Sequence, residues 1–542
     1  MHLASIEVVN FRGIAQLRLH LEPETTLCFG ENAWGKTSLV EALQSTLGSR
    51  PLTEADFHRL ANDRSTIAQR MGITLAFAGE PPAGLEAAGW RDAAGVFHLV
   101  LNWSGRRLPK GQARVRRVFL GPDGAPLALA PGVSEALADE VVRRHPLHVF
   151  RELRLAEGML EPALAPDLEL HEDPEKAVRR VFERLLAVPH QVHPGELARG
   201  LEALRQLAGH RPELFRTLLP ASGNTLRRAT DMAEAPLGLD DGRSLAELAQ
   251  NAGSGMRQVA LLALMGAVLQ AQTGGAHAEG ASPLLVLEDP ETHLHPIQLA
   301  TAWNLVSQLP AQKLVTSAHG ALLAGLPTRC LRRLVRRSRD TAVFPRADAP
   351  GLSATNARRA AFHVRTSNAD SLFARVWLLV EGETEAWLLP ELARVGGLAF
   401  PLEGIRCVAF AQAGIAPIIA FADRFGIPWH LIADGDDAGQ HYVAKARHLL
   451  RGRPEAKHVT LLPDRDLEHF LWRAGFDGVY RRAAGPCREP EAEAVIRQAL
   501  RARSKPGMAL EVAEEAGRRG PSALPPLLRR CFDTLARLAE TP

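Results

Sequence analysis

Cysteine is scarce in this chain, with five residues among 542 (Cys28, Cys330, Cys407, Cys487 and Cys531) and no CxxC pair. Scattered cysteines in odd number exclude a disulfide framework and argue against a zinc site. Long apolar runs are also lacking. The longest, Val259 to Leu269, falls well short of the roughly 20 residues needed to cross a bilayer. The opening MHLASIEVVNFRG carries no signal-peptide pattern, so the expected location is cytoplasmic, with no membrane partner. Charge of one sign is not in excess, since 64 Lys and Arg stand against 61 Asp and Glu. The formal balance of +3 says little about a polyanionic partner, because nucleic-acid binders often confine positive charge to one face. Only two tyrosines occur, Tyr442 and Tyr480, neither in a recognisable nucleophile domain, which argues against covalent tyrosine chemistry on a phosphodiester. No internal repeat or low-complexity tract is present.

What is present suits a large soluble protein: 46% hydrophobic and 23% charged residues are close to average globular usage. The length predicts about three units. Alternating apolar and polar residues predict strands at Ile6 to Phe11 and Leu17 to Leu21, with Thr25 to Phe29 feeding a glycine-rich turn and a helix from Thr37. Strand-like runs at Val96 to Trp103 and Arg114 to Leu120 predict an antiparallel subsheet. From Arg151 to about Leu245 the pattern is helical but broken by eight prolines, which excludes one long coiled-coil arm and predicts a compact insertion. The expected organisation is an N-terminal lobe over 1–150, a dimerising helical insertion over 151–245, a C-terminal lobe over 246–345, a polar linker over 346–370 and a second α/β domain over 371–542. Two basic runs, Arg329 to Arg339 and Arg114 to Arg117, are candidates either for touching phosphates or for solvated faces.

Gly30-Glu-Asn-Ala-Trp-Gly35-Lys36-Thr37 fits the P-loop pattern and sits between a strand and a helix, as a phosphate cradle requires. Its glycines let backbone N–H groups turn toward phosphate, Lys36 neutralises β/γ charge, and the Thr37 hydroxyl suits Mg²⁺. Asn32 and Ser38 complete the candidate ATP contacts. Much later, the apolar strand Leu284-Leu-Val-Leu287 delivers Glu288-Asp289 at its end. Asn251-Ala-Gly-Ser254-Gly255-Met-Arg-Gln258 precedes that strand, and Ser317-Ala-His319 follows the next one. Strung in this order, the motifs resemble those of ABC-type ATPases. The resemblance implies that Glu288 holds Mg²⁺ through water, Asp289 orients the attacking water, and His319 is the switch histidine; the usual order of the acidic pair is reversed here, which leaves that division of labour open. It also implies that Ser254 and Gly255 face the nucleotide of a second subunit, so a homodimer with two shared ATP sites is expected. The wide separation of Lys36 from Glu288, and the opening Ile6-Glu-Val-Val-Asn-Phe-Arg12-Gly, resemble the DNA-repair branch (Rad50, RecF and SMC-like), whose early arginine, here Arg12, lies near the nucleotide.

A second acidic constellation lies downstream. Val376-Trp-Leu-Leu-Val380 runs into Glu381-Gly-Glu-Thr-Glu385, and Trp429 to Ala433 runs into Asp434-Gly-Asp436-Asp437-Ala-Gly439. Open α/β sheets place their sites at such strand ends, and Glu381 and Glu385 share a helix face. Crowded carboxylates repel one another unless cations intervene, and hard oxygen donors favour Mg²⁺ or Mn²⁺. A strand with Glu followed by a strand with DxD resembles the Toprim domain. Asp466-Leu-Glu468 and Ser504-Lys505-Pro-Gly resemble the later elements of OLD (overcoming lysogenization defect) nucleases, and His293 and His295 belong to an HLHP extension of the same family rather than to a metal site. The fold this resemblance implies is an ABC-type P-loop ATPase domain with a helical insertion, followed by a Rossmann-like Toprim domain with a helical C-terminal extension. The function it implies is ATP-driven, two-metal hydrolysis of DNA. Glu381, Glu385, Asp434, Asp436, Asp437 and Glu468 would be metal ligands, Glu381 could also serve as base, and Lys505 would face transition-state charge. Phage defence or DNA repair, and a helicase partner, are left open at family level. The alternatives are a RecF- or SMC-like DNA clamp with an inactive Toprim domain, against which intact Glu381, Asp434 and Asp436 count, and a strand-passing or primase enzyme, against which the missing tyrosine nucleophile counts.

Overall fold

A computed structural model describes residues 1–48, 50–59, 67–108, 113–150, 282–292, 299, 303, 306–307, 311–337, 340–345, 353–486 and 491–540. The expected insertion over 151–245, the segment with Ser254 and Gly255, and His293 and His295 lie outside the described residues. The chain divides into two compact units, one comprising Met1–Leu322 with Arg329–Ala342, the other Leu323–Thr328 with Val343–Pro542.

The first unit carries two sheets. One is antiparallel, built on β1 (His2–Phe11), β2 (Ile14–His20), β4 (Arg70–Ala78), β5 (Trp90–Arg91), β6 (Phe97–Arg107) and β7 (Ala113–Leu120), in the order β2-β1-β4-β6-β5 with β7 also on β6. Its inward positions, among them Ile6, Val8, Ile73, Leu75, Leu99 and Leu101, are sealed from solvent, as period-two alternation requires of a sheet buried on one face. The other has the order β12-β11-β3-β10-β9-β8, from β3 (Thr25–Phe29), β8 (Leu147–Phe150), β9 (Leu284–Glu288), β10 (Gln312–Ser317), β11 (Leu331–Arg336) and β12 (Thr341–Phe344). The pairs β11-β3, β3-β10, β10-β9 and β9-β8 are parallel. β9 opens on the unbroken apolar run Leu284–Leu287, as suits a parallel strand covered on both faces, whereas β11 carries Arg332 and Arg333. β10 lies between β3 and β9 with Ser317 opposite Phe29 and Thr316 opposite Glu288, so three strands end at one level.

Helix α1 (Lys36–Thr46) follows β3, and α2 (Pro131–Arg144) precedes β8. In the second unit a four-stranded parallel sheet runs β14-β13-β15-β16, from β13 (Val376–Val380), β14 (Ile405–Ala409), β15 (Trp429–Ala433) and β16 (Val459–Leu461). Helices α4 (Glu383–Val395), α5 (Ile415–Arg424) and α6 (Asp437–Leu449) connect the strands. A helical tail follows: α7 (Leu467–Leu471), α8 (Asp477–Ala484), α9 (Ala492–Arg503), α10 (Lys505–Arg519) and α11 (Pro526–Glu540). Val380, Leu392, Val512, Leu528 and Leu535 share one core with the sheet, so the tail packs on this domain.

Two expectations need correction. The stretch expected as a polar linker contains α3 (Ala354–Asn368), N-capped by Ser353, whose side chain accepts from the Asn356 N–H. Its Ala360, Ala361 and Val364 are buried, a narrow stripe that the surrounding arginines conceal in the sequence. The run from Arg329 is not one continuous basic strip or solvated face: Arg329 and Arg336 are exposed, but Arg332 and Arg333 between them are buried. Most of it is β11, where Arg332 and Arg333 are 8% and 2% exposed. Arg332 pairs with Glu22 at 2.7 Å, and the Arg333 guanidinium lies 5.9 Å from the centre of the Trp34 ring. In β7, Arg117 is bound to Glu135 and Asp139.

Candidate functional site: a phosphate cradle and an acidic cleft

The P-loop joins β3 to α1. Gly35 has φ of 100° and caps α1 in the left-handed conformation, which a residue with a side chain adopts only under strain; a Cβ there would also meet Ile14 at 3.1 Å. Behind it Lys36 is buried, and its Nζ donates to Gly30 O at 2.9 Å, Asn32 Oδ1 at 3.2 Å and Ser317 O at 3.3 Å. Those three oxygens hold the ammonium over the loop. Burial lowers the Lys36 pKa, opposed by the charges of Asp289, then Glu291, then Cys28 and Glu288. Thr37 is exposed at the helix start, and the Ser38 hydroxyl accepts from the Gly13 N–H at 3.3 Å, which ties the β1–β2 turn to the helix.

Glu288 ends β9 and is buried. Asp289 follows with φ of 45°, and its N–H donates to Thr316 O at 3.0 Å. His319 is exposed just past β10, its Nδ1 accepting from the Ala321 N–H at 3.2 Å. The sheet thus brings Lys36, Asp289 and the approach to His319 to one edge. The Arg12 guanidinium contacts Glu41 at 3.2 Å and Asp56 at 3.8 Å, while Arg50 holds the same two acids at 2.6 and 2.5 Å. Arg50 and Glu291 are the residues of this region that the motifs did not single out. Arg50 looks like an ordinary residue in a turn, and only the fold shows its two acidic partners.

In the second unit Glu381 and Asp434 leave β13 and β15, whose register pairs Leu379 with Leu431. Glu381, Glu385 and Asp434 line one cleft, floored by Leu389, Ile432, Leu462 and Leu467. Glu385 Oε2 also accepts from the Gly382 N–H at 3.1 Å, fixing the first turn of α4. Asp436 caps α6, accepting from the Gly439 N–H at 2.8 Å. Gly439 is required there, since a Cβ would stand 1.9 Å from Asp434 O. Asp437 is exposed in the first turn of α6. Glu468 is buried in α7 and pairs with Lys505 Nζ at 3.2 Å.

The electrostatics of the cleft are one-sided. Burial raises the Asp434 carboxyl to about 7, reinforced by the charges of Glu385, Glu468, Asp466 and Glu381. Glu381 is raised as well, by burial and then by Glu385 and Asp436. Such shifts mark a cluster short of positive charge. The donors are all carboxylate oxygens, which suits a hard divalent cation, although among the described residues no group of three or more His, Cys, Asp or Glu is already gathered as a metal cage. No described helix is long and apolar enough to cross a membrane.

A family model described as "Protein of unknown function (DUF2813)" matches residues 1–371. A second, "Overcoming lysogenization defect protein-like, TOPRIM domain", matches residues 372–436, the stretch that carries Glu381, Glu385, Asp434 and Asp436. The chain belongs to the DUF2813 family and is an OLD-family ATPase–Toprim protein. It is 36% identical to "Uncharacterized protein YbjD" of Escherichia coli strain K12 over 570 aligned residues, covering 100% of this chain and 99% of that one. The "DNA replication and repair protein RecF" of Listeria welshimeri is 42% identical over 67 residues, 12% of this chain and 16% of that protein. Among solved structures, the C-terminal region of the Burkholderia pseudomallei OLD protein matches at 17% identity and a TM-score of 0.28, covering 31% of this chain and 99% of that one. A first unit with a P-loop between β3 and α1, and a second that carries an OLD-like Toprim domain, agree with the expectation from the motifs.

Proposed function

We propose that this OLD-family protein binds and hydrolyses ATP in the first unit and cleaves DNA, in a Mg²⁺- or Mn²⁺-dependent endonuclease reaction, in the second. The observation that carries the nuclease half is the cleft in which Glu381, Glu385 and Asp434 converge with the Asp434 carboxyl raised to about 7. Glu381, Glu385, Asp434 and Asp436, with Glu468 and Asp437 beside them, would hold the cations. Bound there, Mg²⁺ or Mn²⁺ supplies Lewis acidity toward the phosphate and lowers the pKa of water. The chain's own groups do the rest. Glu381, at the end of β13, would take a proton from the attacking water. Lys505 would leave Glu468 and face the charge that develops on the phosphate oxygens.

On the ATPase side, Gly30, Asn32, Gly35, Lys36, Thr37 and Ser38 would cradle the phosphates, with Thr37 and Glu288 toward Mg²⁺. Asp289 would orient water and His319 would contact the γ-phosphate end. Arg12 would lie near the nucleotide, braced by Glu41 and Asp56. Ser254 and Gly255 would complete the site of a partner subunit, making the protein a homodimer. Purified protein incubated with supercoiled and linear DNA, with Mg²⁺ or Mn²⁺ and with or without ATP, tests this directly. Loss of supercoiled substrate is expected; DNA left intact under every combination would defeat the nuclease half.

A further inference from the structure

Glu291 is the acid left without a role when Glu288 and Asp289 are read as the pair that holds Mg²⁺ and orients water, and its contacts are specific. The positive φ of Asp289 turns the chain, and Thr292 closes the turn by donating from its N–H to Asp289 O at 3.1 Å and from its hydroxyl to the same oxygen at 2.8 Å. The turn brings Glu291 back over the end of β10. There Glu291 Oε1 accepts from the Ser317 hydroxyl at 2.8 Å and from the Ala318 N–H at 2.8 Å. Ser317 Oγ in turn accepts from the His319 N–H at 3.0 Å. One carboxylate therefore fixes the two residues before His319, and its other oxygen, Oε2, is buried without a hydrogen-bond partner among the described residues. The same segment touches the P-loop, because Ser317 O accepts from Lys36 Nζ.

We propose that Glu291 is a positioning residue for His319: it clamps the segment Ser317–His319 to the turn after β9, so that the histidine is held where the γ-phosphate of ATP would lie. The clamp is a pair of hydrogen bonds to a charged acceptor, one of them from the backbone. It acts chiefly on kcat, because its hydrogen bonds hold the switch segment rather than the loop that cradles phosphate, on which it bears only through its charge on Lys36. The role rests on the ATP-hydrolysing function proposed above, and two measurements keep the two apart.

The first is amide hydrogen exchange on the full chain without nucleotide. Glu291→Ala frees the Ala318 N–H, and exchange in the peptide spanning β10 and His319 should accelerate by about tenfold or more. Glu291→Gln, whose amide oxygen can accept the same two bonds, should stay within about threefold of wild type. Unchanged exchange in Glu291→Ala overturns the clamp. The second is ATP turnover. Glu291→Ala should lower kcat by about 10- to 100-fold with KM within about threefold, Glu291→Gln should recover most of that loss, and adding His319→Ala to Glu291→Ala should cost less than about threefold more. Loss in Glu291→Gln as deep as in Glu291→Ala, or losses that multiply in the double variant, overturn the positioning role. If Glu291→Ala does not fold, Ser317→Ala removes one of the two donors and should give an intermediate exchange rate and kcat; wild-type values there overturn it as well. A wild type that hydrolyses no ATP defeats the ATPase function, and the exchange comparison still decides the clamp.

Discussion

The two strand-end sites of this protein handle charge in opposite ways. At the phosphate cradle the protein brings its own cation: Lys36 is buried against three oxygens and faces Asp289, Glu291 and Glu288. At the cleft of the second unit the acids outnumber the cations. Lys505 is occupied by Glu468, and Asp434 and Glu381 are left with carboxyls that resist ionisation. A site built for an anionic ligand is complete without it except for the phosphate itself. A site built for a cation stores unfavourable repulsion until the cation arrives. The difference teaches what each site lacks, and so what each is for.

The sharpest way to break the comparison is to remove the cation from the first site. Lys36→Ala should lower ATP turnover by at least ~100-fold, because nothing else in the loop faces the β/γ charge, while metal binding by the acidic cleft is retained. Unchanged ATPase activity would remove the phosphate cradle from the account. A smaller effect is expected on mixing Lys36→Ala with Ser254→Ala. If sites are shared across a two-fold dimer, random exchange in an equal mixture regenerates about a quarter of the wild-type sites. Activity that stays at the level of the separate variants would place each site within one chain.

The smallest effect concerns stability and pH. An Asp434 carboxyl raised to about 7 in the fold, against an ordinary aspartate near 4 when unfolded, favours the fold while protonated. Without metal, that contribution is present below pH ~4 and is lost as pH rises through about 7. Asp434→Asn should therefore raise the metal-free Tm by about 2–4 °C at pH 8 and change it little at pH 5. Mn²⁺ should stabilise the wild type more at pH 8 than at pH 5, since protons compete for the same oxygens. An equal Tm for variant and wild type at pH 8, by differential scanning calorimetry in EDTA, would show that the cleft is not short of positive charge.

Much of this was legible in the sequence because both sites sit where strands end. The strands Thr25–Phe29 and Val376–Val380, the helix after the P-loop and the acids Glu381 and Asp434 are local patterns with one geometric solution. The charged runs were not legible. Nothing near Arg332 in the chain announces Glu22, and nothing near Arg333 announces Trp34, so a buried strand read as a basic strip. The helix Ala354–Asn368 was hidden by the same effect, its apolar stripe being only a few residues wide. No motif singled out Glu291, because its partners lie 26 and 27 positions on, at the end of a different strand. Contacts between elements, rather than patterns within them, are what the sequence withheld.

The most direct measurement is cleavage of supercoiled DNA by wild type and Asp434→Ala side by side, each in Mn²⁺ and in EDTA. Wild type should cut in Mn²⁺, stop in EDTA and resume with excess Mn²⁺, and Asp434→Ala should cut at least ~100-fold more slowly while keeping its ATPase activity. Cutting by wild type in EDTA, or equal rates for the two proteins in Mn²⁺, would contradict the assignment of the acidic cleft as a metal-dependent nuclease site.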